Sequence, residues 1–170
     1  MAYDHGISVN LVQLARAYTV FASDGELKPV TLFKTSGPVA GRPVIQPETA
    51  IAVRRMLEMA VQPAGTAPKA QVPGYRVAGK TGTAHKLEGH VYTAKFVSSF
   101  VGLAPASAPR LVVAVMIDEP GAGAHYGGDV AAPVFAAVTG AALRMLAVPN
   151  DAPVDNVILP PPGTEIREET

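Results

Sequence analysis

Apolar residues recur at helical spacing near both ends of the chain. Near the start, Asn10 and Gln13 form a capping-box pattern, and an apolar stripe follows until Asp24-Gly25 interrupts it. Near the end, residues 131–146 are apolar on nearly every side, which predicts a buried helix lying on a sheet, after a flexible glycine-rich loop at 121–128. The first stripe consists of Leu11, Leu14, Ala15, Tyr18 and Phe21.

A second amphipathic pattern lies between these two. Pro47 suits the first position of a helix, and the pattern ends before Pro63. The polar residues Arg54, Arg55 and Glu58 fall opposite the apolar stripe. We expect Arg54 and Arg55 on a solvated outer face that needs no binding partner. The stripe consists of Ala50, Val53, Leu57 and Val61.

Strand-like segments fill much of the remaining chain. Residues 27–34 predict an extended segment or short strand, and 75–84 a longer strand. A hairpin loop is expected at 87–93, with a return strand at 96–103. Residues 111–117 show no alternation, which favours a central strand covered on both faces. Short connections between these strands predict an antiparallel meander.

Together the patterns predict an α/β fold of the α+β type, in which helices pack on an antiparallel sheet. The chain would supply three strands and about three helices. Residues 1–148 form the folded part in this interpretation. Residues 149–170 are rich in proline and charge without periodicity, so we expect a loosely ordered tail.

Composition narrows the possible functions. The 170 residues carry 14 basic and 14 acidic side chains, and this balance argues against nucleic-acid binding. There is no cysteine, so disulfides and thiolate chemistry are excluded. The apolar runs are too short to span a bilayer. Because a capped helix begins almost at once, we expect the chain to be a soluble fragment of a longer protein.

The stretch from Ala78 to Ala84 carries the chemistry. Lys80 lies between glycines on a predicted strand, where its ammonium would stand beside accessible backbone. Gly82 would admit an extended peptide along the strand edge. An ammonium, two threonine hydroxyls and a backbone N–H suit a carboxylate or a developing oxyanion.

This stretch also carries a family resemblance. Gly79-Lys80-Thr81-Gly82-Thr83-Ala84 contains the Lys-Thr-Gly motif of penicillin-binding proteins and β-lactamases. With its flanks, the chain resembles the C-terminal part of the transpeptidase domain of division-specific class B penicillin-binding proteins over residues 5–149. The implied fold is a partial β-lactamase/transpeptidase-like fold. The flanking stretches are 6–9, 14–18, 102–106, 117–120, 126–128 and 132–135.

The resemblance implies roles for individual residues. Lys80 would lie near the nucleophilic serine, assist proton transfer and attract the substrate carboxylate. Thr81 would bind that carboxylate, Gly82 would leave room for the acyl-donor peptide, and the Thr83 N–H would donate to the oxyanion. The remaining expected ligand-contacting and loop-shaping positions are Phe96, Tyr126, Gly127 and Gly128.

The resemblance also implies a parent function. The parent would crosslink septal peptidoglycan peptides through a serine acyl-enzyme and bind penicillin, without a cofactor. It would be anchored in the bacterial inner membrane with this domain in the periplasm, among divisome membrane proteins. Its direct partners would be peptidoglycan stem peptides and β-lactams.

Two departures limit what this chain would do alone. No serine is followed three residues later by lysine, so the expected nucleophile is absent. Ser8-Val9-Asn10 matches Ser-x-Asn only formally, because it lies at a helix start. We therefore expect the isolated chain to be inactive, and an incomplete sheet to cause self-association.

Other interpretations of the sequence are weaker. A β-lactam-hydrolysing enzyme or D,D-carboxypeptidase shares the Lys-Thr-Gly motif, and a non-catalytic module could sense β-lactams or bind a protein. A metal site built on His85, His90 and His125 is not expected, since two lie in a polar hairpin. Ser98 and Ser99 lack the turn that presents a catalytic serine.

Overall fold

The computed structural model describes residues 8–89, 91–121, 123–161 and 163–164. These residues form an antiparallel three-stranded sheet packed by helices, which confirms the predicted α/β class. No helix within these ranges is long and apolar enough to cross a membrane. In chain order the elements are α1 (Leu11–Ala22), β1 (Glu26–Leu27), β2 (Arg42–Pro43), α2 (Pro47–Met59), a 3-10 turn (Pro68–Ala70), β3 (Ala78–Glu88), β4 (Val91–Ala104), β5 (Leu111–Asp118), α3 (Gly127–Val130) and α4 (Ala132–Met145).

The strands of the main sheet lie in the order β3-β4-β5, and both pairings are antiparallel. The prediction that β5 is a central strand is therefore wrong for the described residues, since β4 occupies the centre. Both faces of β5 are nevertheless covered, because α1 and α4 contact it. An unbroken apolar run indicates that both faces of a strand are buried. It does not indicate whether the strand lies at the centre or at the edge of a sheet.

Two apolar layers hold the sheet. On one face Phe100 and Phe135 are fully buried and meet edge to face, with 4.8 Å between ring centroids. On the other face Leu103 packs with Phe21 of α1 and Leu57 of α2. The alternation of side chains along β4 therefore sends successive residues into different layers.

The predicted boundaries of α1 are confirmed by its caps. The Gln13 N–H donates to Asn10 Oδ1 at 2.8 Å, and the Asn10 N–H donates to Gln13 Oε1 at 2.9 Å. The helix stops where Asp24 and Gly25 adopt positive φ values of 47° and 96°. A side chain at Gly25 would also overlap the Ile45 carbonyl oxygen, so glycine is required there.

The expectation that Arg54 faces solvent is wrong. Its residue surface is 9% exposed, and Nη1 donates to the Phe21 carbonyl oxygen at 2.8 Å and to Asp24 Oδ1 at 3.0 Å. Arg54 thus satisfies a terminal carbonyl of α1 from α2. Arg55 is exposed, as predicted. Helical periodicity cannot distinguish these two arginines, because the end of α1 comes to Arg54 only through tertiary folding.

Several strand boundaries also differ from the predictions. The expected loop at 87–93 is wrong: β3 continues to Glu88 and β4 starts at Val91, around a turn at Gly89 with φ 65°. His90 lies outside the described residues. Cross-strand contacts stabilise this polar extension, including a Lys95–Glu88 ion pair at 2.8 Å. Of residues 27–34, only Leu27 belongs to a strand.

The last long helix is only half buried. Residues Ala132, Phe135, Thr139 and Leu143 face the core, whereas Val138 is 49% exposed. The prediction of burial on nearly every side is therefore wrong, because an apolar sequence does not by itself supply a neighbour for each face. The loop expected at 121–128 ends in the first turn of α3, which begins at residue 127.

Residues 149–161 form neither helix nor strand. Asp151 accepts a hydrogen bond from the Arg76 N–H at 2.7 Å, and Asn156 Oδ1 accepts one from the Gly74 N–H at 2.9 Å. These contacts explain why the strand expected from residue 75 starts only at 78. The division at residue 148 and the looseness of the tail stay predictions, and residues 1–7 and 165–170 lie outside the described residues.

Arg54→Leu should lower the free energy of unfolding by about 2 kcal/mol, because it leaves the Phe21 carbonyl without its buried donor. Thermal or urea unfolding measures this change. Arg55→Leu is the matched control and should change the free energy by less than about 0.5 kcal/mol. Equal losses in the two variants would contradict the role assigned to Arg54.

Candidate functional site

The Lys-Thr-Gly motif lies on β3, whose far edge pairs with no strand among the described residues. Lys80, Thr81 and Gly82 are opposite Val101, Phe100 and Ser99 of β4, respectively. The motif is thus held in register from one side and open along the other. An open strand edge is where an extended peptide can add main-chain hydrogen bonds.

Lys80 and Thr81 are connected by hydrogen bonds. Lys80 is exposed, and its Nζ donates to Thr81 Oγ1 at 3.2 Å and to the Thr81 carbonyl oxygen at 3.3 Å. The Thr81 hydroxyl is itself buried and donates to Thr66 Oγ1 at 3.3 Å. This arrangement fixes the hydroxyl beside the ammonium, where both can face one anionic group.

Thr66 was missed by sequence reasoning. It lies in the glycine- and proline-rich connection between α2 and β3, which gives no periodic signal. Only the tertiary fold brings its hydroxyl to Thr81. We therefore include Thr66 as a supporting residue of the candidate site.

The glycines of the site permit close packing. A Cβ atom on Gly82 would lie 2.6 Å from Ser99 Oγ, whose hydroxyl donates to the Gly82 carbonyl oxygen at 3.3 Å. A Cβ atom on Gly127 would overlap the Ser99 carbonyl oxygen and lie 2.9 Å from the Gly82 carbonyl oxygen. A side chain at Gly127 would therefore separate α3 from the sheet, and one at Gly82 would displace the Ser99 side chain.

This packing brings Gly127 to the end of the motif. Its N–H donates to Thr83 Oγ1 at 3.0 Å, and both Gly127 and Gly128 are buried. The structure therefore joins two segments that are 44 residues apart in the sequence. Thr83 belongs to β3 and lies directly beside the first turn of α3.

The two aromatic residues predicted to contact the ligand, Phe96 and Tyr126, are connected by the ring of His125. Phe96 stacks on His125, with 4.1 Å between ring centroids and 16° between ring planes. His125 meets Tyr126 at 4.5 Å, and His85 meets Phe96 at 4.4 Å. His125 was missed as part of this row, because nothing in the sequence connects it to Phe96. Its carbonyl oxygen accepts a hydrogen bond from the Ser98 hydroxyl.

Lys80 and Phe96 are not brought together. Phe96 pairs with His85, five residues beyond Lys80 on β3, which corresponds to roughly 16 Å along a strand. The site is therefore elongated, with the ammonium at one end, Thr83 between, and the aromatic row at the other end. Such a shape suits an extended ligand lying along β3.

The charged side chains around β3 differ in whether they form ion pairs. Lys86 forms ion pairs with Glu119 at 2.7 Å and Asp118 at 2.9 Å. Hydrogen bonds to Glu119 and Asp118 raise the pKa of Lys86, and the hydrogen bond from Lys86 lowers the pKa of Glu119. Within the described ranges Lys80 has no carboxylate partner, so its charge is available to a ligand.

Metal binding finds no geometric support in the described part of the chain, where no three His, Asp or Glu side chains cluster at ligating distance. Ser98 and Ser99 both hydrogen-bond to main-chain carbonyl oxygens, of His125 and Gly82 respectively. Among the described residues, neither serine hydroxyl donates to a histidine side chain that could accept its proton. The motif on β3 is therefore the candidate site.

Comparison with known proteins gives a consistent result. A family model described as "Penicillin binding protein transpeptidase domain" matches residues 1–140. The apo structure of the TP domain from Burkholderia pseudomallei penicillin-binding protein 3 is 56% identical, with a TM-score of 0.82, over 89% of this chain and 46% of that chain. The sheet and helices described above are thus shared with that domain.

Curated relatives extend the likeness. The probable peptidoglycan D,D-transpeptidase PbpC of Pseudomonas aeruginosa is 44% identical over 89% of this chain and 27% of that protein. The peptidoglycan D,D-transpeptidase FtsI of Escherichia coli K12 is 40% identical over 89% of this chain and 26% of that protein. The chain therefore spans about a quarter of the length of these relatives.

Gly127→Ala should lower the free energy of unfolding by about 2 kcal/mol, because its methyl group would overlap the Ser99 carbonyl oxygen. Chemical denaturation provides the measurement. Gly121→Ala is the matched control, since a methyl group there meets no atom within 4 Å. An unchanged stability of Gly127→Ala would show that α3 does not pack on the motif in this way.

Proposed function

This chain belongs to the penicillin-binding protein transpeptidase domain family, and from that membership we propose that it is part of a peptidoglycan D,D-transpeptidase. The parent protein crosslinks septal cell-wall peptides through a serine acyl-enzyme and binds penicillin. The observation that carries the proposal is that β3 has one edge without a strand partner among the described residues and carries an exposed Lys80 ammonium that is hydrogen-bonded to the Thr81 hydroxyl. This chain supplies the strand along which the substrate lies.

Each residue of the motif has a proposed task. The Lys80 ammonium draws in the carboxylate of the stem peptide or β-lactam and favours proton transfer at the nucleophile. The Thr81 hydroxyl, already held beside that ammonium, turns toward the carboxylate. Gly82 keeps the strand edge clear, and the Thr83 N–H donates to the oxyanion of the tetrahedral intermediate.

The far end of the site binds the rest of the ligand in this proposal. Phe96 and Tyr126 offer ring surface to the acyl-donor peptide, and His125 keeps them in one row. Gly127 and Gly128 allow α3 to approach β3 closely. This close approach fixes the distance of Tyr126 from the strand. No cofactor takes part.

The nucleophile comes from outside this chain. None of the serines in the sequence is followed three residues later by lysine. A group of residues that acts as a unit loses most of its rate when the nucleophile is missing. The isolated chain therefore binds substrate groups weakly and does not form an acyl-enzyme.

The alternative functions differ in the reaction that they would carry out. A β-lactamase or D,D-carboxypeptidase relative would use the same Lys-Thr-Gly strand but pass the acyl group to water. A β-lactam-sensing or protein-binding module would use the strand without turnover. The relatives compared above carry the name transpeptidase, which favours crosslinking.

The proposed setting of the parent protein is the one that the family resemblance implies. The parent is anchored in the bacterial inner membrane, places this domain in the periplasm and works with divisome membrane proteins. Its direct ligands are peptidoglycan stem peptides and β-lactams. The outer edges of β3 and β5, which have no strand partner in the described part of the chain, also make self-association of the isolated chain an expected outcome.

Intact-mass spectrometry after incubation with benzylpenicillin tests the proposal. We expect a penicilloyl adduct on the longer natural protein that contains this chain, and none on the chain alone. In the longer protein, Lys80→Ala should slow acylation by about 10²-fold, because a charge that faces the ligand is lost.

Lys34→Ala is the matched control for the acylation rate, since Lys34 is exposed and distant in sequence from the motif. It should leave the rate unchanged. An adduct on the isolated chain would contradict the external nucleophile. No adduct on either protein would favour the sensing or protein-binding module.

A further inference from the structure

The segment that leads into the Lys-Thr-Gly strand is held by the tail of the chain. Gly74, Tyr75 and Arg76 precede β3 and belong to no strand of the sheet. Two of their six main-chain groups bond to residues outside the tail: the Tyr75 N–H donates to the Val72 carbonyl oxygen at 3.1 Å, and the Arg76 carbonyl oxygen accepts from the Ala106 N–H at 2.8 Å. The other four would be left without partners if the tail were absent. Buried or half-buried main-chain groups need hydrogen-bond partners, so the residues that supply these partners matter for the structure of the segment.

The tail supplies most of these partners. The Gly74 N–H donates to Asn156 Oδ1 at 2.9 Å, and the Gly74 carbonyl oxygen accepts from the Asp151 and Ala152 N–H groups at 3.2 Å each. The Tyr75 carbonyl oxygen accepts from Asn156 Nδ2 at 3.0 Å. One asparagine side chain therefore binds main-chain groups of two consecutive residues.

Asp151 connects this segment to the other end of the hairpin. One carboxylate oxygen accepts from the Arg76 N–H at 2.7 Å. The other accepts from the Ser107 hydroxyl at 2.6 Å and the Ser107 N–H at 3.2 Å. Ser107 follows β4, so a single carboxylate ties the entry of β3 to the exit of β4.

These contacts lie close to the site. Arg76 is four residues before Lys80, and the intervening Val77 and Ala78 are 5% and 0% exposed. A shift at Arg76 is therefore transmitted along a buried, extended chain to the motif. Among the described residues β3 pairs with a strand along one edge only, so no strand opposes displacement of its first residues toward the open side.

We propose that Asp151 and Asn156 are positioning residues for the Lys-Thr-Gly strand. Together they form a clamp, defined as the side chains of these two residues with the main chain of 74–76 that they bind. The clamp fixes the position of Lys80 and Thr81 relative to the incoming ligand. Its effect on reaction rate rests on the proposed transpeptidase function, whereas its effect on β3 does not.

Hydrogen exchange measured by mass spectrometry tests the clamp in this chain without any activity. Asp151→Ala should increase exchange about tenfold in peptides that cover 74–83, because the loss of hydrogen bonds to a carboxylate costs on the order of 1.4 kcal/mol. Asp151→Asn should recover part of the protection, since it keeps one acceptor. Asp155→Ala is the matched control, an exposed tail acid that should leave exchange unchanged.

The same variants in the longer natural protein give the second readout. Asp151→Ala should lower the second-order rate constant for acylation by benzylpenicillin about tenfold, and Asp155→Ala should not change it. Unchanged exchange in 74–83, or an equal increase in α2 and α4, would overturn the clamp. An unchanged acylation rate would overturn its role in positioning Lys80 and Thr81. If the unmodified longer protein is not acylated, the proposed function fails, and the exchange result still decides whether the clamp exists.

Discussion

The ring of Phe100 lies across a pair of glycines, Gly79 and Gly102, that face each other on β3 and β4. A Cβ atom on Gly79 would overlap this ring, and one on Gly102 would lie 2.9 Å from both Phe100 and Phe135. The contact joins the hairpin to α4 and favours the register of β3 and β4 in which these two glycines face each other. Since Lys80 follows Gly79, the start of the Lys-Thr-Gly motif takes its position from this packing.

The site depends on an asymmetry between the two edges of β3. One edge is fixed by β4, and the first turn of α3 packs beside Thr83. The other edge has no strand partner among the described residues, and there the Lys80 ammonium and Thr81 hydroxyl stand together. A rigid strand with one open edge presents main-chain and side-chain groups to an extended ligand with little loss of conformational entropy.

Features set by neighbouring residues could be predicted from the sequence. The capping box of Asn10 and Gln13 is confirmed because its partners are three residues apart. Features set by distant residues could not be predicted. Arg54 is buried because it meets the end of α1, and residues 75 and 76 lie outside the strand, where the tail binds their main chain. Periodicity contains no information about either contact.

The candidate site shows the same division. The motif itself is contiguous, so Lys80, Thr81 and Gly82 could be named from the sequence and from its family resemblance. Thr66 and His125 join the site through tertiary contacts alone. The roles assigned to the motif require a ligand that lies along β3. The Lys-Thr-Gly sequence and the open edge of the strand both favour this position of the ligand.

The most direct measurement is a crystal structure of the longer natural protein acylated by benzylpenicillin. The account predicts that the ligand carboxylate lies within hydrogen-bond distance of the Thr81 hydroxyl, near Lys80, and that the acyl oxygen accepts from the Thr83 N–H. A ligand bound covalently elsewhere, with the open edge of β3 unoccupied, would contradict the assignment of this strand as the substrate strand.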